Sequence, residues 1–304
     1  MSKPIFEGSG VAIVTPFMQG GVNYKKLEQI VDFHLQKGSD AIIVCGSTGE
    51  ASTMPDSEHI KVVKCVVDAV AGRIPVIAGA GSNDTNHGVQ LTKEVCDVGA
   101  DAALLVTPYY NKCTPEGLFR HYKAMATSCD IPILLYNVPS RTNVNISVEV
   151  MKRIADCSEC DNIIGVKECN INNVPDVLHE CGDRFTIYSG EDGLVLPLLS
   201  LGAKGVISVA ANILPTQIST MVHDYLNGNT AKALEMQIHI MPLINALFSE
   251  VNPIPVKEAL NILGQEVGPC RLPLCEMSAK NHDNLVKVLN SYNIDIINCR
   301  VNAN

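Results

Sequence analysis

"AALLVTP", residues 102–108, is apolar at consecutive positions until Thr107 and Pro108 close it. A strand with one wet face alternates apolar and polar residues, whereas an unbroken run is buried on both faces, as in a parallel sheet covered by helices. Seven other runs read the same way: "VAIVTPF" (11–17), "AIIVCG" (41–46), "PVIAGAG" (75–81), "PILLYN" (132–137), "IIGVKE" (163–168), "FTIYSG" (185–190) and "GVISVA" (205–210). Between them, stretches such as "YKKLEQIVDFHLQKG" (24–38) and "EGLFRHYKAMATSCD" (116–130) repeat apolar residues at three and four, the helical spacing. Three strand entries, "KGSDA" (37–41), "VGADA" (98–102) and "LGAKG" (201–205), place a glycine where a helix ends in the left-handed conformation and the chain turns inward.

Eight strands alternating with helices predict an α/β chain folded as a (β/α)₈ TIM barrel. An open doubly wound sheet carries fewer strands and a glycine-rich fingerprint after the first, and neither is present. Beyond about residue 225 the strand signal stops. "TAKALEMQIHIMPLINALF" (230–248), "IPVKEALNILG" (254–264) and "SAKNHDNLVKVLNSY" (278–292) read as helices. The expected organisation is a barrel over 1–225 and a C-terminal helical appendage over 226–304.

With 304 residues, 46% apolar and 18% charged, the chain has ample material for a full core. A net charge of −9 with no basic run, no tryptophan and 5% aromatic content argue against nucleic acid or an anionic membrane surface as partner. The start "MSKPIFEGSG" lacks an apolar signal core, and no run approaches the roughly 18 apolar residues of a membrane helix. A cytoplasmic protein is expected, its twelve cysteines reduced thiols. "CSEC", Cys157 to Cys160, has metal-like spacing but no second pair or nearby histidine, and reads as helix-end thiols.

Barrel active sites lie at the C-terminal ends of the strands. There this sequence places "GSTGE" (46–50), "TPYYN" (107–111), "YNVPSRT" (136–142), Lys167 and Glu168, "SGED" (189–192) and "ISVAAN" (207–212). Lys167 directly follows an apolar run, where a desolvated ammonium loses its proton and becomes a nucleophile. Such an amine can attack a ketone and pass through an imine to an enamine that attacks an aldehyde, with no metal or cofactor required. "GSTGE" is either an ordinary glycine turn or a carboxylate site built from hydroxyls and backbone N–H groups. Tyr136 is either a packed core residue or a proton carrier, and Arg141 either a surface arginine or a planar fork for a carboxylate.

"GSTGE", "VTPYYN", "LLYNVPSRT", "GVKE", "YSGED" and "GVISV", in this order along nearly the whole chain, give it a likeness that single motifs would not. It resembles the class I pyruvate-dependent aldolases, most closely the branch that condenses pyruvate with L-aspartate 4-semialdehyde in lysine and diaminopimelate biosynthesis. The resemblance implies that Lys167 forms the Schiff base with pyruvate. It implies a proton relay of Tyr136, Ser47 and Tyr110, the last lent by a neighbouring subunit of a tetramer built from two dimers. Thr48 and the Ser47 backbone would hold the pyruvate carboxylate, Arg141 the carboxylate of the semialdehyde, and Gly190 and Ile207 would line the pocket. Ser47 stands where the family usually has threonine; the hydroxyl is kept and the methyl that stiffens χ1 is lost. Sugar-acid relatives such as N-acetylneuraminate lyase or a keto-deoxy-sugar-acid aldolase would carry other residues at "SRT". A noncatalytic sensor on a barrel scaffold would have no need of the lysine.

The resemblance also implies a cleft near "ASTMPDSEH" (51–59) and "GSNDTNH" (81–87), where feedback-inhibited relatives bind L-lysine. Asn83, His59 and Tyr109 are kept there, but Asp56 replaces a histidine and His87 a glutamate. Weak or absent inhibition by lysine is expected.

Overall fold

The computed structural model describes residues 4–292; the end of the expected helical appendage, 293–304, lies outside the described residues. Eight parallel strands close into a barrel: β1 (Gly8–Ala12), β2 (Ala41–Val44), β3 (Val76–Gly79), β4 (Ala102–Val106), β5 (Ile133–Asn137), β6 (Ile163–Glu168), β7 (Thr186–Ser189) and β8 (Gly205–Ser208). Each pairs with its neighbours in sequence, and β1 closes the ring by pairing with both β2 and β8. The strand residues are buried almost throughout, as unbroken apolar runs require. The expected (β/α)₈ architecture is therefore the observed one.

The outer layer comprises α1 (Tyr24–Gln36), α2 (Asp56–Val70), α3 (Thr85–Asp97), α4 (Pro115–Ala126), a single turn α5 (Pro139–Thr142), α6 (Val148–Ala155), α7 (Val174–Cys181), α8 (Val195–Ser200) and α9 (Pro215–Leu226). Side chains of Asn23, Asp84, Thr114 and Ser147 accept the first free amides of α1, α3, α4 and α6, fixing where those helices start. Gly38, Gly99 and Gly202 have φ of 80°, 90° and 97°, the left-handed turns expected at the strand entries.

The first strand begins earlier than its apolar run suggests. That run starts at Val11, yet Gly8 and Ser9 pair with Gly205 and Val206, and a Cβ on Gly205 would collide with the Gly8 carbonyl. These glycines allow two backbones to approach where side chains would hold them apart. Residues 17–18 and 21–22 form a short antiparallel ribbon around Gly20 and Gly21, and the segment carrying Arg141 is a helical turn rather than the loop expected.

The helices α10 (Thr230–Leu247), α11 (Ile254–Ile262) and α12 (Ala279–Ser291) follow the barrel. Their apolar faces join the same buried cluster as the outer barrel surface, with Leu243, Val256 and Leu285 fully enclosed. A second, smaller cluster fills the barrel interior: Ala12, Ile43, Ile77, Leu104, Leu134 and Ile207, floored by Phe6 stacked on Tyr188 at 4.4 Å.

Candidate active site

Lys167 lies on β6, where strict alternation would turn it out of the barrel. Ile163 faces the outer cluster, so residues two and four further on should do the same. A register shift intervenes: Ile133 pairs with Ile163 but Leu134 with Gly165, leaving one extra residue in β6. This bulge reverses the alternation, so Val166 faces outward and Lys167 stands opposite Tyr136 on one side and Tyr188 on the other. Lys167 Nζ lies 4.2 Å from the centre of the Tyr136 ring, with 7% of the residue exposed.

Burial is the main cause holding the Lys167 amine below the usual lysine range; Arg141 pushes the same way, while Cys169, Glu191 and Asp192 oppose. Burial likewise drives the Tyr136 phenol well above the usual range, so it is a neutral hydroxyl; the Arg141 charge and the neighbouring Ser47 hydroxyl oppose the shift only in part. Cys169 is pushed up to about 12, chiefly by burial. The site thus pairs an amine that gives up its proton more readily than a free lysine with a phenol that keeps its own.

Gly190 borders the lysine stem. Its N–H donates to the Glu168 carbonyl at 2.9 Å, and a Cβ there would collide with Cys169 Sγ and stand 3.2 Å from Lys167 Cγ. Ile207, 1% exposed, belongs to the same inner wall as Tyr136. Thr48, buried in the loop after β2, accepts at Oγ1 from Asn252 Nδ2 at 3.0 Å, and the Asn252 carbonyl accepts from Arg141 Nη2 at 3.3 Å. Asn252 therefore ties the "GSTGE" loop to the exposed arginine at the mouth.

Behind that loop, Glu50 and Lys257 form a buried ion pair at 2.8 Å, their side chains 0% and 2% exposed. Lys257 also donates to the carbonyls of Thr15 and Pro269, and the Arg271 amide donates to Glu50. Asp192 accepts from Ser208 and from the amides of Val209 and Ala210, joining the ends of β7 and β8. Sequence reading missed Asn252 and Lys257. Lys257 in "IPVKEAL" looks like an ordinary helix-surface lysine, and nothing local to either residue marks a partner some two hundred positions away.

Of the expected site residues, Lys167, Tyr136, Ser47, Gly190 and Ile207 come together, with Thr48 and Arg141 joined through Asn252. Tyr110 does not join them. It is 92% exposed, with φ of 72°, on a loop pinned by Asn83 donating to the Tyr109 carbonyl and Asn111 donating to the Asn83 carbonyl. An aromatic residue in the left-handed region costs about 1–2 kcal/mol, so those bonds hold the tyrosine outward against its backbone preference.

The model of the dihydrodipicolinate synthetase family matches residues 5–292. The chain belongs to that family. It is 53% identical over 294 residues to the 4-hydroxy-tetrahydrodipicolinate synthase of Acetivibrio thermocellus, covering 97% of this chain and 100% of that one. It superposes on the crystal structure of dihydrodipicolinate synthase from Aquifex aeolicus with a TM-score of 0.92 and 47% identity, over 95% and 99% of the two chains. The lysine-bound structure from Cyanidioschyzon merolae gives the same TM-score at 38% identity, over 96% and 100%.

Between α2 and α3, where the resemblance led a lysine cleft to be expected, His87 reaches Asp56 through Nε2 at 3.1 Å and Ser82 through Nδ1 at 3.0 Å. His59 Nε2 is bound to the Gly79 carbonyl at 2.8 Å. Asp56 and His87, the two residues expected to differ from feedback-inhibited relatives, thus pair with each other.

Proposed function

We propose that this chain is a lyase of the class I aldolase type, condensing pyruvate with L-aspartate 4-semialdehyde to 4-hydroxy-tetrahydrodipicolinate in lysine and diaminopimelate biosynthesis. The observation that carries the reading is the desolvated Lys167 amine held against Tyr136 at the C-terminal mouth of a barrel of this family. The neutral amine attacks the pyruvate ketone and water leaves, giving a protonated imine. Loss of a methyl proton gives an enamine, whose carbon attacks the aldehyde of the second substrate. Tyr136, in contact with Ser47, donates and accepts the protons of these steps.

Thr48 and the Ser47 backbone hold the pyruvate carboxylate, with Gly190 and Ile207 leaving room beside it. Arg141 takes the carboxylate of the semialdehyde through its planar fork. Tyr110 completes the relay in a neighbouring subunit, in a tetramer formed as a dimer of dimers; its outward projection in the single chain supports this. The enzyme works in the cytoplasm, and its paired Asp56 and His87 make inhibition by lysine weak or absent.

A coupled assay with pyruvate and aspartate semialdehyde tests the function, and N-acetylmannosamine in place of the semialdehyde is expected to give no turnover. Arg141→Ala should retain imine formation with pyruvate and lose productive use of the semialdehyde by about 2 kcal/mol or more, the weight of a charge-assisted pair. Equal loss of both would contradict the assignment.

A further inference from the structure

"CSEC" takes no part in the chemistry above, and its geometry gives it one of its own. The turn Ser158–Cys160 lies between the end of α6 and the start of β6, and the Cys160 amide donates to the Cys157 carbonyl at 2.8 Å. This closes the turn and brings the two Sγ atoms to 3.2 Å. Cys160 is fully buried, while Cys157 is half-buried and the more accessible of the two. The turn is anchored from both flanks: the Cys160 carbonyl accepts from Arg184 at 3.1 Å, and Asn162 Nδ2 donates to the carbonyls of Ala126, Cys129 and Ile131. The Lys123 ammonium, paired with Glu159, faces both thiols. Among the described residues no group of three or more His, Cys, Asp or Glu is placed to hold a metal ion. The sulfurs need approach by only about 1.2 Å to reach bonding distance.

We propose that Cys157 and Cys160 are a redox-active dithiol that closes to a reversible disulfide by exchange with small disulfides of the glutathione class. Cys157, the accessible thiol, attacks as its thiolate: its sulfur bonds to one sulfur of RSSR, and RS⁻ leaves. Cys160 then passes its proton to RS⁻ and attacks the Cys157 sulfur, expelling the second RS⁻, which takes a proton from water in place of the one Cys157 released. The balance is one protein dithiol and one RSSR converted to one protein disulfide and two RSH. Cys160 is the resolving thiol because RSSR cannot reach it first. The site sits at the opposite end of β6 from Lys167, about 13 Å along the strand at 3.3 Å per residue, so it is separate from the catalytic mouth.

The test treats the full-length protein with oxidised glutathione at neutral pH, blocks remaining thiols with N-ethylmaleimide, and maps tryptic peptides. Cleavage after Arg153 and Lys167 releases both thiols on one peptide, and the exposed Cys275 reports that the oxidant has acted. The expected result is a 154–167 peptide lighter by two hydrogens and unlabelled, which takes two maleimides after reduction. In Cys160→Ser, Cys157 should accumulate as the glutathione mixed disulfide at least about 5-fold over the parent, since resolution is lost. Two maleimides on the parent peptide while Cys275 is oxidised would overturn the proposal. So would equal mixed disulfide at Cys157 in parent and variant.

Discussion

Lys167 sits between two opposing effects. The Tyr136 ring face favours its ammonium by about 0.5–2 kcal/mol, while burial, the largest cause lowering its pKa, favours the neutral amine. A lysine whose pKa is lower in the folded than in the unfolded chain weakens folding wherever the unfolded chain holds the extra proton. The penalty is complete below the folded pKa and disappears as pH rises toward the ordinary value of 10.5. Lys167→Met should therefore abolish turnover yet raise the melting temperature at neutral pH, with the gap between variant and parent narrowing as pH approaches 10. Thermal unfolding across pH checks this, and a lower melting temperature at neutral pH would count against it. At this scale only Lys167 stood out in its local context, as an amine directly after an apolar run; Tyr136 and Arg141 each kept two readings until the resemblance as a whole gave them roles.

At the scale of elements, the sequence revealed the strands but not what aims them. "IIGVKE" reads as one uniform strand, and nothing in it discloses the bulge that turns Lys167 into the barrel; that depends on how β5 and β6 pair. The clamp between α11 and the loop after β2 was equally hidden, because Glu50 and Lys257 are 207 residues apart. Removing one partner of a buried ion pair strands the other charge, so Lys257→Ala should destabilise the fold by about 3–5 kcal/mol. Replacing both, as Lys257→Met with Glu50→Leu, should cost less than the single change, and chemical denaturation of the three proteins measures the difference. Between α2 and α3, Asp56 is already engaged by His87, so a ligand ammonium must compete with an internal partner instead of meeting a free carboxylate. Half-inhibition by L-lysine should lie above about 1 mM, an affinity weaker than roughly 4 kcal/mol. Titration at fixed substrate decides it, and half-inhibition well below that concentration would refute the reading.

For the whole molecule, the architecture was readable because period and count act together: eight runs buried on both faces, separated by amphipathic helices, leave few topologies other than a closed barrel. Less legible was how far the C-terminal helices enter the site, since Asn252 and Lys257 act through contacts that only the closed fold creates. Tyr110 is exposed and held outward, and in the relay proposed above it serves a neighbouring subunit. Mixing Tyr110→Phe with Lys167→Ala and allowing subunits to exchange should restore partial activity, because each mixed dimer regains one intact site. No recovery in verified mixed dimers would contradict a shared relay. The central claim is that Lys167 carries pyruvate covalently, and borohydride reduction in the presence of pyruvate tests it most directly. The predicted result is a stable mass increase on the peptide containing Lys167, with matching loss of activity; an adduct elsewhere, or none with activity retained, would contradict the account.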